Sequence, residues 1–169
     1  RIPAPGFIGV HRAGPGVGKG SISGLFTVLV EGDDHNEPVS DAVRAIVDGH
    51  IVMERSIAER GRFPAISILK SVSRTMPKSA DPEYRPIIRK ARELMGTYAD
   101  MEELIRLGAY RRGSSEDVND AIDRNADLEA LLAQEKDETS SIQDGYEKLA
   151  RIVIGNGEED PQERGSTDQ

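Results

Sequence analysis

The chain lacks cysteine and tryptophan and has few aromatic side chains of any kind, which excludes several kinds of site. Of its 169 residues none is Cys and 4% are aromatic. Without Cys it can form neither a disulfide framework nor a thiolate-ligated metal centre. The three histidines, His11, His35 and His50, lack the spacing of zinc ligands, so we predict no metal site. No apolar run approaches the ~18 residues of a membrane-spanning helix, so we predict no transmembrane segment.

Acidic residues outnumber basic residues, and the charge is distributed unevenly. The formal net charge is −8, from 30 Asp and Glu against 22 Lys and Arg. An acidic chain is repelled by the phosphates of nucleic acid, so we predict no nucleic-acid partner. Basic residues nevertheless concentrate in residues 54–92, with ten Lys and Arg against four Asp and Glu. This stretch could face a phosphate or an acidic neighbour, or it could form a solvated charged surface.

Composition and periodicity divide the chain into four parts. Residues 1–20 are rich in Gly and Pro without a strand or helix period, which predicts an irregular start. Residues 21–80 alternate apolar strand-like runs with helical patterns, which is typical of a parallel α/β sheet. Residues 81–154 place apolar side chains at helical spacing and predict a bundle of five short helices, the second capped by Asp100. Residues 155–169 offer no apolar side chain to bury and are predicted to be disordered.

A glycine-rich stretch, Ala13–Ser21 with the sequence AGPGVGKGS, is close to a phosphate-binding loop but departs from it at two positions. The motif needs Gly at position 13 and a Ser or Thr directly after Lys19, where this chain has Ala13 and Gly20. It also needs a strand before the loop and a helix after it, whereas a strand-like run follows here. We therefore predict that this stretch is not a phosphate-binding loop.

Two further stretches carry a resemblance to a known family. Residues 63–77 read FPAISILKSVSRTMP, and residues 20–48 read GSISGLFTVLVEGDDHNEPVSDAVRAIVD. Through these stretches, and from about Ala13 to about Val153, the chain resembles the rotary-ATPase family, in particular the flagellum-specific ATPases of type III protein export. The resemblance implies the C-terminal part of a RecA-like parallel-sheet nucleotide domain followed by an all-α helical bundle. It also implies that the phosphate loop and the acids that bind metal and orient water lie upstream in a longer parent.

The resemblance assigns roles to named residues. Arg74, in the sequence SVSR, matches the arginine finger, whose planar and permanently charged guanidinium meets charge on a γ-phosphate across a subunit interface. Phe63, with Pro64 beside it, matches an aromatic residue that stacks on adenine. The segment between two predicted helices matches one that contacts a central stalk, through Tyr110, Arg111, Arg112, Glu116 and Asp117. From the residues alone, a single Arg is most often a surface residue and Phe63 an ordinary buried side chain.

The function implied by the resemblance is ATP hydrolysis coupled to flagellar type III protein export. The parent would be a homo-hexamer that uses ATP and Mg²⁺, and the chain alone is expected to hold no cofactor and to be inactive. The implied partners are a stalk-like coiled-coil protein, export-gate components, and export substrates with their chaperones. The implied location is the cytoplasm, at the periphery of the inner-membrane export apparatus.

Three alternatives remain open from the sequence. A virulence type III secretion ATPase shares most of the motifs. An ATP-synthase catalytic subunit is disfavoured by Leu131, which falls near the position where that subunit brings an aromatic residue to the base, and by the Tyr110 segment. The third alternative is a non-catalytic remnant that binds partners through its helices, which the lack of a phosphate loop favours.

Overall fold

The structure, a computed structural model, describes residues 6–13, 22–29, 38–76 and 78–155. The predictions made for the glycine-rich loop at 14–21, for the tail at 156–169 and for Pro77 lie outside these residues. In chain order the elements are β1 Gly6–Ala13, β2 Ile22–Leu29, α1 Pro38–Ile46, β3 Gly49–Met53, α2 Arg55–Glu59, β4 Ile66–Ser73, α3 Arg85–Arg106, α4 Glu116–Leu132 and α5 Ile142–Ile154. They divide into two compact units.

The first unit runs up to Ala80 and includes Leu132–Lys136; we call it the sheet unit. Its four described strands lie in the order β2-β1-β3-β4. Each neighbouring pair is antiparallel, where the alternation of the sequence predicted parallel pairing. The length of the connection does not decide this, because the twelve residues 54–65 between β3 and β4 would be enough for a parallel crossover. Between β3 and β4 the chain instead reverses through the short helix α2 and a turn at Gly61, whose φ is +83°.

Strand β1 corrects the prediction of an irregular start at residues 1–20. It pairs with β2 on one side and β3 on the other, so it lies inside the sheet. Gly9 is buried, and a Cβ built there would lie 3.1 Å from Val47 Cγ1, so the glycine accommodates a close approach of the chain after α1. Gly9 made this stretch look like a loop in the sequence, but in the structure it allows β1 to pack closely against Val47.

The apolar cluster in the described part of the sheet unit centres on one large side chain. Val52 of β3 is 2% exposed, and Val28 and Val43 pack against it while remaining partly exposed. Beyond this cluster, large apolar side chains of β2 stay exposed, among them Leu25 at 70% and Leu29 at 71%. The described core of this unit therefore covers only part of the apolar surface of its strands.

The second unit, Asp81–Leu131 and the chain from Asp137 onwards, is the helical unit. Three helices enclose one apolar cluster, built from Ala91, Leu94, Ala121, Leu128 and Val153. The sequence predicted five short helices here, and this number is wrong, since α3 runs without a break for 22 residues and α4 for 17. Asp100 is exposed and lies inside α3, so it does not cap the start of a second helix. None of the helices in the described ranges is long and apolar enough to cross a membrane.

Candidate functional site

Arg74 follows directly after β4 and is exposed. Its backbone N donates a hydrogen bond to Asp48 O at 2.9 Å. Its guanidinium Nη2 lies 3.1 Å from Ala45 O and 3.4 Å from Arg44 O, which are carbonyl oxygens of the last turn of α1. A cation at the carboxyl end of a helix is favourable because the unpaired carbonyls carry partial negative charge. The structure therefore fixes both the backbone and the side chain of Arg74 against the end of α1.

The turn that carries Arg74 is closed by hydroxyl groups on both sides of it. Ser73 Oγ and Thr75 Oγ1 lie 3.0 Å apart, and the Met76 backbone N donates to Ser73 Oγ at 3.3 Å. Side chains of this kind stabilise turns by bonding to backbone groups two or three residues away. Ser73 of the SVSR motif thus stabilises the turn that carries Arg74.

Phe63 and Pro64 precede the other end of β4, and their peptide bond is cis. The Phe63 side chain is 48% exposed, which contradicts the alternative that it is an ordinary buried residue. Its carbonyl oxygen accepts a hydrogen bond from Gln134 N at 2.8 Å, within the same unit. The segment after α4 is therefore joined to the backbone of Phe63, a contact between residues far apart in the sequence. Sequence reasoning missed Gln134, and no local motif marks it.

Strand β4 lies between Phe63 and Arg74, so the two residues stand at its opposite ends. The structure does not bring them together around one ligand.

The segment between α3 and α4 is organised around the Tyr110 hydroxyl. This oxygen accepts a hydrogen bond from Ser115 N at 3.3 Å and lies 3.0 Å from Asn119 Oδ1 and 3.1 Å from Ser115 O, to either of which it can donate. Asn119 Oδ1 also accepts from Gly113 N at 3.1 Å. Gly113 has a φ of +93°, a conformation that other residues rarely adopt. The Tyr110 hydroxyl therefore stabilises the conformation of this segment through hydrogen bonds to Ser115 and Asn119.

The remaining residues predicted to contact a partner lie on the surface of the same segment. Arg111 and Arg112 are exposed, and Arg112 forms an ion pair with Asp123 of α4. Glu116 and Asp117 are exposed in the first turn of α4, where negative charge complements the helix dipole. The structure thus exposes two basic side chains between α3 and α4 and two acidic side chains in the first turn of α4.

Two groups have pKa values displaced from their ordinary range. Burial lowers the pKa of His50 on β3, and the positive charge of Arg44 lowers it further, while a hydrogen bond to the Lys70 backbone opposes both. Hydrogen bonds from the Ser141 side chain and backbone lower the pKa of Asp144 in the first turn of α5. His50 pairs with Val72, two residues before Arg74, and Asp144 belongs to the helical unit. Among the residues that the structure describes, no group of three His, Asp or Glu is placed to hold a metal ion.

Family models match most of the chain. The nucleotide-binding domain of the ATP synthase alpha/beta family matches residues 10–73, and the T3SS EscN ATPase C-terminal domain matches residues 80–151. The first match contains Phe63 and ends at Ser73, directly before Arg74, and the second contains the Tyr110 segment.

Similar proteins come from flagellar and secretion systems. The chain is 54% identical to a flagellum-specific ATP synthase of Caulobacter vibrioides, over 85% of this chain and 34% of that relative. It is 44% identical to the SPI-2 type 3 secretion system ATPase of Salmonella typhimurium, over 85% of this chain and 33% of that relative. The chain thus spans about a third of the length of the curated relatives that it matches.

Solved structures agree with these matches. The assembled ATPase EscN from the type III secretion system of enteropathogenic E. coli has a TM-score of 0.70 at 36% identity, over 75% of this chain and 31% of that chain. EscN in complex with its central stalk EscO has a TM-score of 0.64 at 35% identity, over 69% and 29%. The resemblance read from the sequence is thereby confirmed, and the chain belongs to the family of flagellar and type III secretion ATPases.

Proposed function

We propose that this chain is the part of a flagellar type III export ATPase that supplies an arginine finger and a partner-binding helical unit. The observation that carries the proposal is Arg74, an exposed guanidinium anchored to the end of α1 by hydrogen bonds at 3.1 and 3.4 Å. The 54% identity to the flagellum-specific relative of Caulobacter vibrioides supports the flagellar system, whereas the flagellum-specific relative of Bacillus subtilis, at 43%, is no more similar than the SPI-2 secretion ATPase at 44%.

The position of Arg74 suits a residue that acts on the nucleotide of a neighbouring subunit. An arginine finger must be held rigidly and must also be exposed, because it stabilises charge that develops outside its own subunit. Arg74 meets both conditions through its backbone bond to Asp48 and its exposed side chain. Its bonds to carbonyls of α1 would be exchanged for bonds to phosphate oxygens, which are shorter and stronger because both partners are charged.

Phe63 and Pro64 belong, in this proposal, to the adenine site of the same subunit. The exposed Phe63 ring offers a face for stacking, and the bond between Gln134 N and Phe63 O brings the segment after α4 beside it. Because β4 separates Phe63 from Arg74, each subunit would contribute to two nucleotide sites. A ring of identical subunits has this arrangement, which supports a homo-hexamer with ATP bound between neighbours.

The described residues do not supply the groups that hold Mg²⁺ or the phosphates. No cluster of carboxylates suited to a metal lies among them, so we assign no Mg²⁺ ligand within these ranges. We therefore propose that the chain alone neither binds ATP tightly nor hydrolyses it, and that ATP and Mg²⁺ bind in the longer parent. Calorimetry on the purified chain should detect no binding at micromolar ATP, and measurable affinity there would overturn this part of the proposal.

The arginine finger is tested in the full-length ATPase that carries this sequence. Arg74→Ala should leave the KM for ATP nearly unchanged and lower kcat by about 10³- to 10⁵-fold, the range measured for arginine fingers. Arg74→Lys should also fail, because a point charge does not reproduce the planar fork. Arg60→Ala, which removes another exposed arginine of the same unit, is the matched control. A kcat for Arg74→Ala within about threefold of the unmodified enzyme contradicts the assignment, given that range.

The helical unit is proposed to receive a stalk-like coiled coil at the Tyr110 segment. One relative's structure was solved in complex with a central stalk, which supports a partner of this kind. Arg111 and Arg112 would contact acidic side chains of the stalk, so the affinity should fall as salt rises. Reversal of both to Glu should reduce stimulation of ATP hydrolysis by the stalk and spare the basal rate. The same double reversal at the exposed Lys148 and Arg151 is the control, and equal stimulation in both variants contradicts the contact.

The cellular setting follows from this function. We propose a cytoplasmic position at the periphery of the inner-membrane export apparatus, with export-gate components, export substrates and chaperones as further partners. Localisation of a fluorescent fusion in cells with and without the export gate tests this placement, since the gate should be needed for the protein to gather at the membrane.

A further inference from the structure

The pairing of β3 with β4 contains a large irregularity just before the SVSR motif. His50 pairs with Val72, whereas Val52 pairs with Ser67, so that Ile51 alone faces the four residues Ile68–Ser71. Extra residues on one strand bend it and change the direction of the side chains that follow, and such irregularities are common beside functional sites. The irregularity therefore sets where β4 ends and which way Arg74 leaves it.

The side chain of Ser71 closes this irregularity. Its Oγ accepts a hydrogen bond from the Val52 backbone N at 2.9 Å and donates one to the Ser67 carbonyl O at 2.5 Å. The hydroxyl thus joins the two strands where the extra residues separate them. Val52 and Ser67 are both buried, at 2% and 7% exposed, so water has little access to the two backbone groups that Ser71 satisfies.

Regular pairing resumes at once beyond Ser71 and leads directly to Arg74. Val72 pairs with His50, Ser73 pairs with Gly49, and the Arg74 backbone N donates to Asp48 O at 2.9 Å. The strands are very close here, since a Cβ built on Gly49 would lie 2.8 Å from Val72 O. This three-residue stretch has one register that satisfies its bonds, and a shift of one residue would turn every side chain to the other face.

We propose that Ser71 is a positioning residue for Arg74, acting through the register of β4, an inference that rests on the proposed role of Arg74 in ATP hydrolysis. Without the hydroxyl, the buried Val52 N and Ser67 O lose their partner, and unpaired buried groups are costly. Movement of residues 68–71 can restore direct bonding between the strands. That movement carries Arg74 away from the carboxyl end of α1, and displacement of about 1 Å can cost about 10²-fold in rate.

A pair of variants with the same shape separates the hydroxyl from the packing. Ser71→Thr keeps the hydroxyl and Ser71→Val replaces it with a methyl group, and both residues favour strands. In the full-length ATPase, Ser71→Val should lower kcat by about 10²-fold with the KM for ATP unchanged, and Ser71→Thr should restore most of it. Ser56→Ala, at an exposed serine of α2, is the control that should match the unmodified enzyme.

Amide hydrogen exchange on the chain of 169 residues supplies a readout independent of catalysis. Ser71→Val should accelerate exchange at Val52 and at Arg74, while Ser71→Thr should not. If Arg74 exchange is unchanged in Ser71→Val, or if kcat is unchanged while Arg74→Ala lowers it, Ser71 does not position Arg74. If Arg74→Ala itself leaves kcat intact, the assignment of Arg74 as an arginine finger is wrong. Accelerated amide exchange in Ser71→Val would then show a purely structural role for Ser71, which also overturns the positioning proposal.

Discussion

The sheet unit and the helical unit differ in how they cover their own apolar surface. The helical unit encloses five buried residues in one cluster, with partly buried neighbours around it. In the described part of the sheet unit the corresponding cluster centres on Val52, while Leu25, Phe26 and Leu29 of β2 are between 55% and 71% exposed. The helical unit therefore has the larger enclosed cluster, although it also leaves large apolar side chains exposed, such as Leu107 and Ile142, and the sheet unit leaves more of them uncovered along its strands.

The residues proposed to contact nucleotide lie in the unit with the smaller core. Arg74 and Phe63 are held chiefly by hydrogen bonds, to Asp48, to the end of α1 and from Gln134. Hydrogen bonds fix direction well and contribute only about 1 kcal/mol each to stability. We infer that the sheet unit is built for the placement of particular groups, and that the helical unit supplies stability.

Truncation of Leu94 should give the largest loss of stability. Leu94 of α3 is 2% exposed in the centre of the helical cluster. Leu94→Ala should lower the free energy of unfolding by about 2–5 kcal/mol, because a buried leucine leaves a cavity that its neighbours fill only in part. Chemical denaturation followed by helical circular dichroism measures the loss.

A control on the same helix isolates the effect of burial. Leu107, the residue that caps α3, is 67% exposed, so Leu107→Ala should change the unfolding free energy by less than about 0.5 kcal/mol. Equal losses in the two variants would show that helix propensity, and not the enclosed cluster, stabilises this unit. The division between the two units would then be wrong.

The sequence predicted the helical unit more fully than the sheet. Apolar residues recurring along 81–154 predicted a helical bundle, and the structure places several of them in the cluster, such as Leu94, Ala121 and Leu128. It did not predict that α3 continues through Asp100, because a polar residue suited to a cap is equally suited to the exposed side of a long helix. Periodicity indicates which side of a helix is buried, and it locates the ends less well.

The sheet shows what local patterns cannot predict. Pairing direction depends on contacts between distant strands, so the alternation of elements gave parallel pairing where the described pairs are antiparallel. Strand β1 was missed because Gly9 and its neighbours carry a loop composition. The motif around Arg74 was recognised, whereas Ser71 and Gln134, which hold the backbone of this region, act through partners 19 and 71 residues away in the sequence.

Removal of the helix cap at Ser141 should have an intermediate effect. Ser141 and Asp144 form a capping box at the start of α5, in which each side chain bonds the backbone of the other. Ser141→Ala should destabilise the helical unit by about 0.5–2 kcal/mol, and Ser140→Ala, which leaves the box intact, should not. The pKa of Asp144 is lowered, so the contribution of the box should be present above 3.8 and fade as the pH falls through the folded value. Denaturation of both variants at neutral and at acidic pH measures this.

The smallest expected effect is a pH dependence confined to the sheet unit. Burial and the charge of Arg44 lower the pKa of His50 below 6.5 in the folded chain. As the pH falls below 6.5, the unfolded chain therefore binds a proton at this histidine before the folded chain does. Because stability rises with pH wherever the unfolded state binds more protons, the sheet unit should lose stability over this range.

His50→Gln removes the titration, so the variant should show a flatter dependence of unfolding on pH below 6.5 and no change in slope well above it. Hydrogen exchange at β3 amides follows the sheet unit, and the helical amides of α3 serve as an internal reference. If the slope is the same in the variant and the unmodified chain, His50 does not couple protonation to the stability of the sheet.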